Sequence, residues 1–256
     1  MSREPVPAFI IGGAPRSGTT YLATGLARHP QVSMAQPLIP EPKVFMGPPQ
    51  PPEVYRERYR ALFAAAPART VLGEKTSYYL ESAAARDLIH QLLPEVRLLF
   101  IVREPVARAY SNYLWSRGNG LETLSFEEAV AAEGTRPNPL PPEKAYARPF
   151  DYVLRGDYAA LARPYFELFG ADRVRFLLYE DITLRRDELW REIQEFLGLS
   201  PLPATLLDAG VVNPAKETGV RITPETVAAL RERLRPSVCD FQQLTGLNLA
   251  SWGYAA

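Results

Sequence analysis

Cysteine is almost absent, with one residue, Cys239, in 256. A single thiol excludes a disulfide within the chain and any zinc site built on cysteines. Its context, "SVCDFQQL", offers no neighbouring base, so Cys239 is expected to be a buried small apolar residue rather than a nucleophile. Histidine is nearly as scarce. His29 and His90 stand far apart, which disfavours His-rich metal centres and most Ser-His-Asp arrangements. Net charge is missing too: 29 Lys and Arg balance 29 Asp and Glu, so no global basic field points to nucleic acid or to an acidic membrane. No apolar run approaches a membrane span, and "MSREPVPAFIIGG" lacks the apolar stretch of a signal peptide. The expectation is a cytoplasmic protein with no membrane span, no nucleic-acid partner and no metal site.

What is present is alternation. "AFIIGG" (8–13) is a short apolar run closed by glycines, the pattern of a buried parallel strand. "TTYLATGLARHP" (19–30) places apolar residues at helical spacing until Pro30 ends it. Residues 31–52 are proline-laden and read as a loop with a short element, and 53–66 as a helix. "TVLGEKTSYYL" (70–80) begins as a strand and ends as a loop; 83–94 is a helix; "RLLFIVREP" (97–105) is the clearest strand, followed by the helix "VARAYSNYLWSRG". Residues 133–149 read as a mobile loop. A helix with a glycine break covers 152–170, a strand 173–182, and an amphipathic helix 184–199 with Leu189, Ile193, Phe196 and Leu197 on one face. "TPETVAALRERL" opens with Thr223 and Pro224, a good helix start. Strands alternating with helices predict an α/β fold, one domain over residues 1–256, with a central parallel sheet flanked by helices. Ligands in such sheets bind at the carboxyl ends of the strands. The loops at 13–20 and after Gly73, Val102 and Tyr179 are then expected on one rim.

"GGAPRSGTTYL" (12–22) carries the chemistry. Gly13, Gly18 and Thr20 fit the spacing of a phosphate-binding loop, but Thr19 occupies the position of the usual lysine. That loss weakens the case for a nucleoside triphosphatase. Successive amides at a glycine turn and the start of a helix still present donors and positive dipole to a tetrahedral anion. Ser17, Thr19 and Thr20 add hydroxyls, and Arg16 adds a cation.

"PRSGTT", taken with "FIVREPVARAYSNY", resembles the sulfotransferase family that uses 3′-phosphoadenosine 5′-phosphosulfate (PAPS). The first motif looks like that family's 5′-phosphosulfate loop. The second supplies Arg103 at a strand end and Ser111 eight residues later, which the resemblance assigns to the 3′-phosphate. "LLYEDI" (177–182) and "LGEKTSYYL" (72–80) are similar to further segments of the family, the latter to heparan sulfate-type and related bacterial members. The resemblance runs over roughly residues 8–250 and implies a P-loop-like sulfotransferase fold.

The resemblance also implies roles. PAPS is the cosubstrate and 3′-phosphoadenosine 5′-phosphate (PAP) the product, with no metal required. Arg16, Ser17, Gly18, Thr19 and Thr20 meet the phosphosulfate. Glu41 in "PEPKVFM" matches the family's glutamate base, although Lys43 stands where histidine is usual and Pro40 replaces a lysine. His29 is the rival base, with helix capping as its simpler role. Lys75 either holds the sulfuryl group or acceptor, or pairs with Glu74 or another carboxylate. Tyr179 either meets the adenine or ends a strand. Lys216, Gly219 and Arg221, in "NPAKETGVRI", fall where the family has a late basic loop over the cofactor. Trp115, Tyr113, Tyr78 and Tyr79 either line the acceptor site or, as the simpler role, pack in the core. The acceptor is expected to be a small molecule, a glycan or a lipid-linked group. Two other readings stay open: a P-loop nucleotide kinase or NTPase, and a noncatalytic nucleotide-binding module.

Overall fold

A computed structural model describes residues 4–68, 70–210 and 222–254. Five strands, β1 (Phe9–Gly13), β2 (Val32–Met34), β3 (Val71–Lys75), β4 (Arg97–Val102) and β5 (Val174–Leu178), form one parallel sheet in the order β2-β3-β1-β4-β5. The described helices are α1 (Thr19–Leu26), α2 (Pro52–Leu62), α3 (Ala83–Leu92), α4 (Pro105–Gly118), α5 (Phe126–Ala131), α6 (Tyr158–Phe169), α7 (Asp181–Leu184), α8 (Arg186–Leu197), α9 (Ala204–Leu207) and α10 (Pro224–Thr245). The expected α/β class, a parallel sheet flanked by helices, is what the chain forms. It folds as two compact units, Met1–Val102 with Tyr165–Val212, and Arg103–Pro164 with Asn213–Ala256.

The first unit holds the sheet. Side chains alternate across its strands. Phe9, Ile11, Leu99, Ile101 and Leu177 face one way and are buried with Leu22 and Leu26 of α1, Trp190 and Ile193 of α8, and Leu207 of α9. Trp190 is fully buried and donates its indole N–H to the Tyr21 hydroxyl at 3.1 Å. On the other face, Phe100 meets Tyr165 at 4.7 Å and Phe176 at 4.9 Å between ring centroids, and Phe166 meets Phe176 at 5.7 Å. Phe196, expected on the buried face of α8, is only partly buried. β2 is a short element within the loop-like 31–52, as expected there, but three residues between prolines carry no period that would mark it as a strand. The strand exists through its pairing with β3, Val32 opposite Val71.

The second unit is built on α4 and α10. Glu104 caps α4 by accepting the Ala107 amide at 2.7 Å, and Tyr254 donates to the same carboxylate at 2.7 Å. Thr223 caps α10, as its sequence predicts. The glycine break expected within 152–170 falls at a short 3-10 turn, Leu154–Gly156, ahead of α6. Residues 133–149 are anchored rather than loose. Arg136 makes a bidentate pair with buried Glu122 (2.9 and 2.7 Å), Tyr152 donates to Glu122 at 2.6 Å, and a 3-10 turn covers Pro142–Ala147. Burial works to raise the Glu122 carboxyl, but the bonds from Arg136, Tyr152 and Leu124 together pull it down to about 2. Cys239 is exposed on α10, against the expectation that it is buried, since its side chain lies off the stripe of Leu230, Leu234, Val238 and Phe241.

Candidate active site

All five strands are parallel, so their carboxyl ends share one edge of the sheet. The chain order reverses direction across β1, which puts the loop after β1 at the switch point where such sheets bind ligands. That loop contains a set of unusual backbone conformations. Arg16 (φ 68°) and Gly18 (φ 92°) both lie in the left-handed region, and Gly18 is the residue before α1. Among the described residues no side chain caps α1, and no acidic residue occupies its first turn. The amides there are therefore arranged as an anion cradle.

Ser17 is fully buried in this loop, and its hydroxyl has no hydrogen-bond partner among the described residues. A buried polar group without a partner costs roughly 1–3 kcal/mol, so such groups are kept where something else binds them. The orphaned hydroxyl and the uncapped helix start fit a phosphate group. Thr19 is buried and Thr20 half-buried at the first two positions of α1.

Neighbouring loops close on the cradle from both sides. A Cβ on Gly18 would sit 3.0 Å from Tyr179 Cδ2 and 2.9 Å from Ile182 Cδ1, so Tyr179, one residue beyond β5, packs directly on the loop. A Cβ on Gly13 would sit 2.7 Å from Leu80 Cβ and 3.0 Å from the Ser77 carbonyl oxygen. Only glycine admits both approaches.

Ser77 leads to the second part of the site. Glu41 Oε1 lies 2.8 Å from Lys75 Nζ and accepts the Ser77 hydroxyl at 2.8 Å, while Oε2 accepts the Ser77 amide at 3.2 Å. Lys75 is 4% exposed and Glu41 13% exposed. Lys75 thus pairs with Glu41 and not with Glu74. Adjacent residues of a strand point to opposite faces, so Glu74 turns into the interior beneath the site. There it accepts hydroxyls from Tyr59, Tyr79 (2.6 Å) and Thr76 (2.8 Å). Ser77 and Glu74 were not singled out from the sequence. Spacing offered one signal for Ser77, since it follows Lys75 by two residues at a strand end.

Arg103 follows β4 directly and Ser111 sits two turns into α4. Both belong to the second unit, where Tyr158 donates to the Arg103 carbonyl at 2.8 Å. Lys216, Gly219 and Arg221 lie outside the described residues. His29 is buried and does not cap α1. Its Nδ1 accepts the Gln31 amide at 3.2 Å, so its proton resides on Nε2, which donates to the Ser200 carbonyl at 3.0 Å. It latches two loops. His90 packs edge-on against Phe169. Tyr113 and Tyr79 are fully buried, as expected of core residues, whereas Tyr78 and Trp115 are partly exposed. Among the described residues, no three His, Cys, Asp or Glu side chains group closely enough to hold a metal ion, and no helix is long and apolar enough to cross a membrane.

The chain is similar to known proteins over most of its length. The chain matches the family described as Sulfotransferase domain over residues 7–211. It is 26% identical over 220 residues to a bifunctional heparan sulfate N-deacetylase/N-sulfotransferase of Drosophila melanogaster, covering 78% of this chain and 20% of that protein. It is 28% identical over 275 residues to human heparan sulfate glucosamine 3-O-sulfotransferase 6, covering 98% and 75% respectively. The chain therefore spans a fifth of the first relative's length and three quarters of the second's. Among solved structures, a sulfotransferase from Alicyclobacillus acidocaldarius shares the fold with a TM-score of 0.75 at 24% identity, over 98% of this chain and 99% of that one. A mouse sulfotransferase complexed with PAP shares it with a TM-score of 0.56 at 14% identity, over 94% and 90%. With the family match extending over most of its length, from before β1 to beyond α9, the chain belongs to the sulfotransferase domain family.

Proposed function

We propose that this chain transfers a sulfuryl group from PAPS to a hydroxyl or amine of a carbohydrate or small-molecule acceptor and releases PAP. One observation carries the proposal: the uncapped cradle at Arg16–Thr20, with its orphaned Ser17 hydroxyl, abuts the Glu41–Lys75–Ser77 cluster through Gly13. An anion site and a held carboxylate side by side are what sulfuryl transfer needs. PAPS, when bound, supplies a sulfuryl group on a phosphate leaving group.

The chain's own residues then divide the work as in other in-line transfers, which rely on positioning and charge stabilisation. The amides of 17–20, the hydroxyls of Ser17, Thr19 and Thr20, and the Arg16 guanidinium hold the 5′-phosphate and meet the negative charge that gathers there. Glu41 takes the acceptor's proton, oriented by Lys75 and Ser77. Tyr179 supports the adenine side of the loop. Arg103 and Ser111 take the 3′-phosphate, and Lys216, Gly219 and Arg221 cover the cofactor. These last assignments rest on the sequence motifs. The two compact units are read as serving one sulfotransferase domain over 1–256. A cytoplasmic, bacterial setting is part of the same proposal and rests on composition and motifs alone.

The relatives named for heparan sulfate and glucosamine favour a glycan acceptor. The test uses radiolabelled PAPS with an unsulfated glucosamine–glucuronic acid oligosaccharide. Glu41→Gln abolishes label transfer and leaves PAP affinity unchanged. Transfer retained by Glu41→Gln moves the base elsewhere. The kinase reading gains no support from the family match or the fold.

A further inference from the structure

Glu74 is a fully buried carboxylate that no step of the proposed reaction uses. An ionised carboxylate has no proton to give, so the three hydroxyls around it must all donate to it. Tyr59 donates to Oε2, and Tyr79 and Thr76 donate to Oε1 at 2.6 and 2.8 Å. With their protons committed, Thr76 and Tyr79 have only lone pairs left to offer. Each accepts a backbone amide: Lys43 N–H donates to Thr76 Oγ1 at 3.0 Å, and Phe45 N–H donates to the Tyr79 hydroxyl at 3.1 Å. The carbonyls of the same segment are held from α2, where Arg58 donates to Val44 at 2.7 Å and to Pro42 at 3.1 Å. The segment that follows Glu41 is thereby fixed on its donor side through Glu74 and on its acceptor side by Arg58.

We propose that Glu74 is a positioning residue: by orienting the Thr76 and Tyr79 hydroxyls it holds the 42–45 backbone, and with it keeps the Glu41 carboxylate on Lys75 and Ser77. This rests on the reading of Glu41 as the base. Glu74 acts from the opposite face of β3 and touches neither acceptor nor cofactor. Burial pushes its carboxyl above the ordinary value, against the lowering effect of the three hydroxyls. A buried carboxylate is a poor device for stability, because an apolar group of similar volume commonly serves as well or better. Its place directly beneath the site gives it a different use.

Glu74→Gln keeps the shape but introduces an amide donor. Toward ε1 that donor faces hydroxyls already accepting the Lys43 and Phe45 amides, and toward ε2 it displaces the Tyr59 proton. Hydrogen exchange followed by mass spectrometry reads the hold directly. The peptide spanning 41–46 is expected to exchange about tenfold faster, while the β4 peptide and PAP binding by calorimetry are unchanged. With radiolabelled PAPS and the unsulfated oligosaccharide, kcat is expected to fall about ten- to a hundredfold with the PAPS KM unchanged. Thr76→Val, which removes one hydroxyl of the relay without altering the carboxylate, gives the same pattern should Glu74→Gln fail to fold. Unchanged exchange at 41–46, exchange that rises equally in β4, or an unchanged kcat each overturn the proposal. Full activity of Glu41→Gln alone would instead overturn the assignment of the base, and the exchange result would still decide whether Glu74 holds the segment.

Discussion

Replacing Lys75 by Met and Glu41 by Gln, singly and together, measures what binds the two halves of the proposed catalytic cluster. At 2.8 Å the gross attraction of the pair is on the order of 6 kcal/mol for an effective dielectric of about 20, and about 1.5 kcal/mol in bulk water. With exposures of 4% and 13%, the pair sits nearer the first limit. Removing two charges from water takes back several kcal/mol of that. The double-mutant coupling is therefore expected near ~2 kcal/mol, above the ~0.2–1 kcal/mol typical of exposed pairs. Lys75→Met leaves a carboxylate that still accepts two bonds from Ser77, whereas Glu41→Gln leaves a buried ammonium without its carboxylate. Glu41→Gln is accordingly the more destabilising of the two, by about 1 kcal/mol. Urea unfolding followed by circular dichroism gives all four free energies. Repeating the series in about 1 M salt separates a buried pair from a screened one. A coupling below about 0.5 kcal/mol, or one that vanishes in high salt, would mean that Lys75 and Glu41 are held as a screened surface pair and not as a buried one.

Three other outcomes follow from the same geometry. Ser17→Ala deletes a buried hydroxyl without a partner, so the free protein should unfold at an unchanged or higher urea concentration, while PAP affinity measured by calorimetry falls about tenfold. A loss of stability with no loss of affinity would contradict this. Gly25→Ala would place a Cβ 2.3 Å from the Trp190 ring and 2.6 Å from the Leu207 carbonyl oxygen. It should destabilise by about 3 kcal/mol and lower the melting temperature by roughly 10 °C in a calorimetric scan, and an unaltered Tm would speak against the packing described. Glu122 titrates about 2 in the fold against an ordinary value of 4.5, so its share of stability is fully present above pH 4.5 and is lost as pH falls toward 2. Glu122→Gln should be less stable at neutral pH and lose less on acidification than the parent, as read from urea midpoints across that window. Parallel acid limbs for the two proteins would exclude the Arg136 pair as the cause.

The sequence made the β1–loop–α1 unit readable because all its determinants are local: an apolar run, glycines where the chain turns, and a helix that starts on threonine. The strands β3, β4 and β5 were readable for the same reason, and so were Gly156 as a break and Thr223 as a cap. β2 was not, since only its partner across the sheet makes Val32–Met34 a strand. The site was legible as a set of residues rather than as an arrangement. Glu41 and Lys75 were each picked out, yet their pairing joins positions 34 apart in sequence, and the sequence named only Glu74 or some other carboxylate as the partner of Lys75. Strand geometry excludes that pairing and sends Glu74 to a hydroxyl cluster gathered from α2 and from the turn after β3. Nothing in the order of residues announces such a cluster, because Tyr59, Thr76 and Tyr79 read as ordinary core and turn positions. His29 illustrates the converse. Its place before Pro30 suggested a helix cap, and only the fold brings the Ser200 carbonyl to its Nε2.

The central claim is that the loop after β1 is built for the phosphate of a 3′-phosphoadenosine nucleotide and not for a metal-bound triphosphate. Calorimetric titration of the full chain with PAP, and separately with ATP and Mg²⁺, tests it most directly. Saturable PAP binding that weakens in Ser17→Ala is expected, with ATP–Mg²⁺ binding far weaker or absent. Tight binding of ATP–Mg²⁺ with no binding of PAP would contradict it.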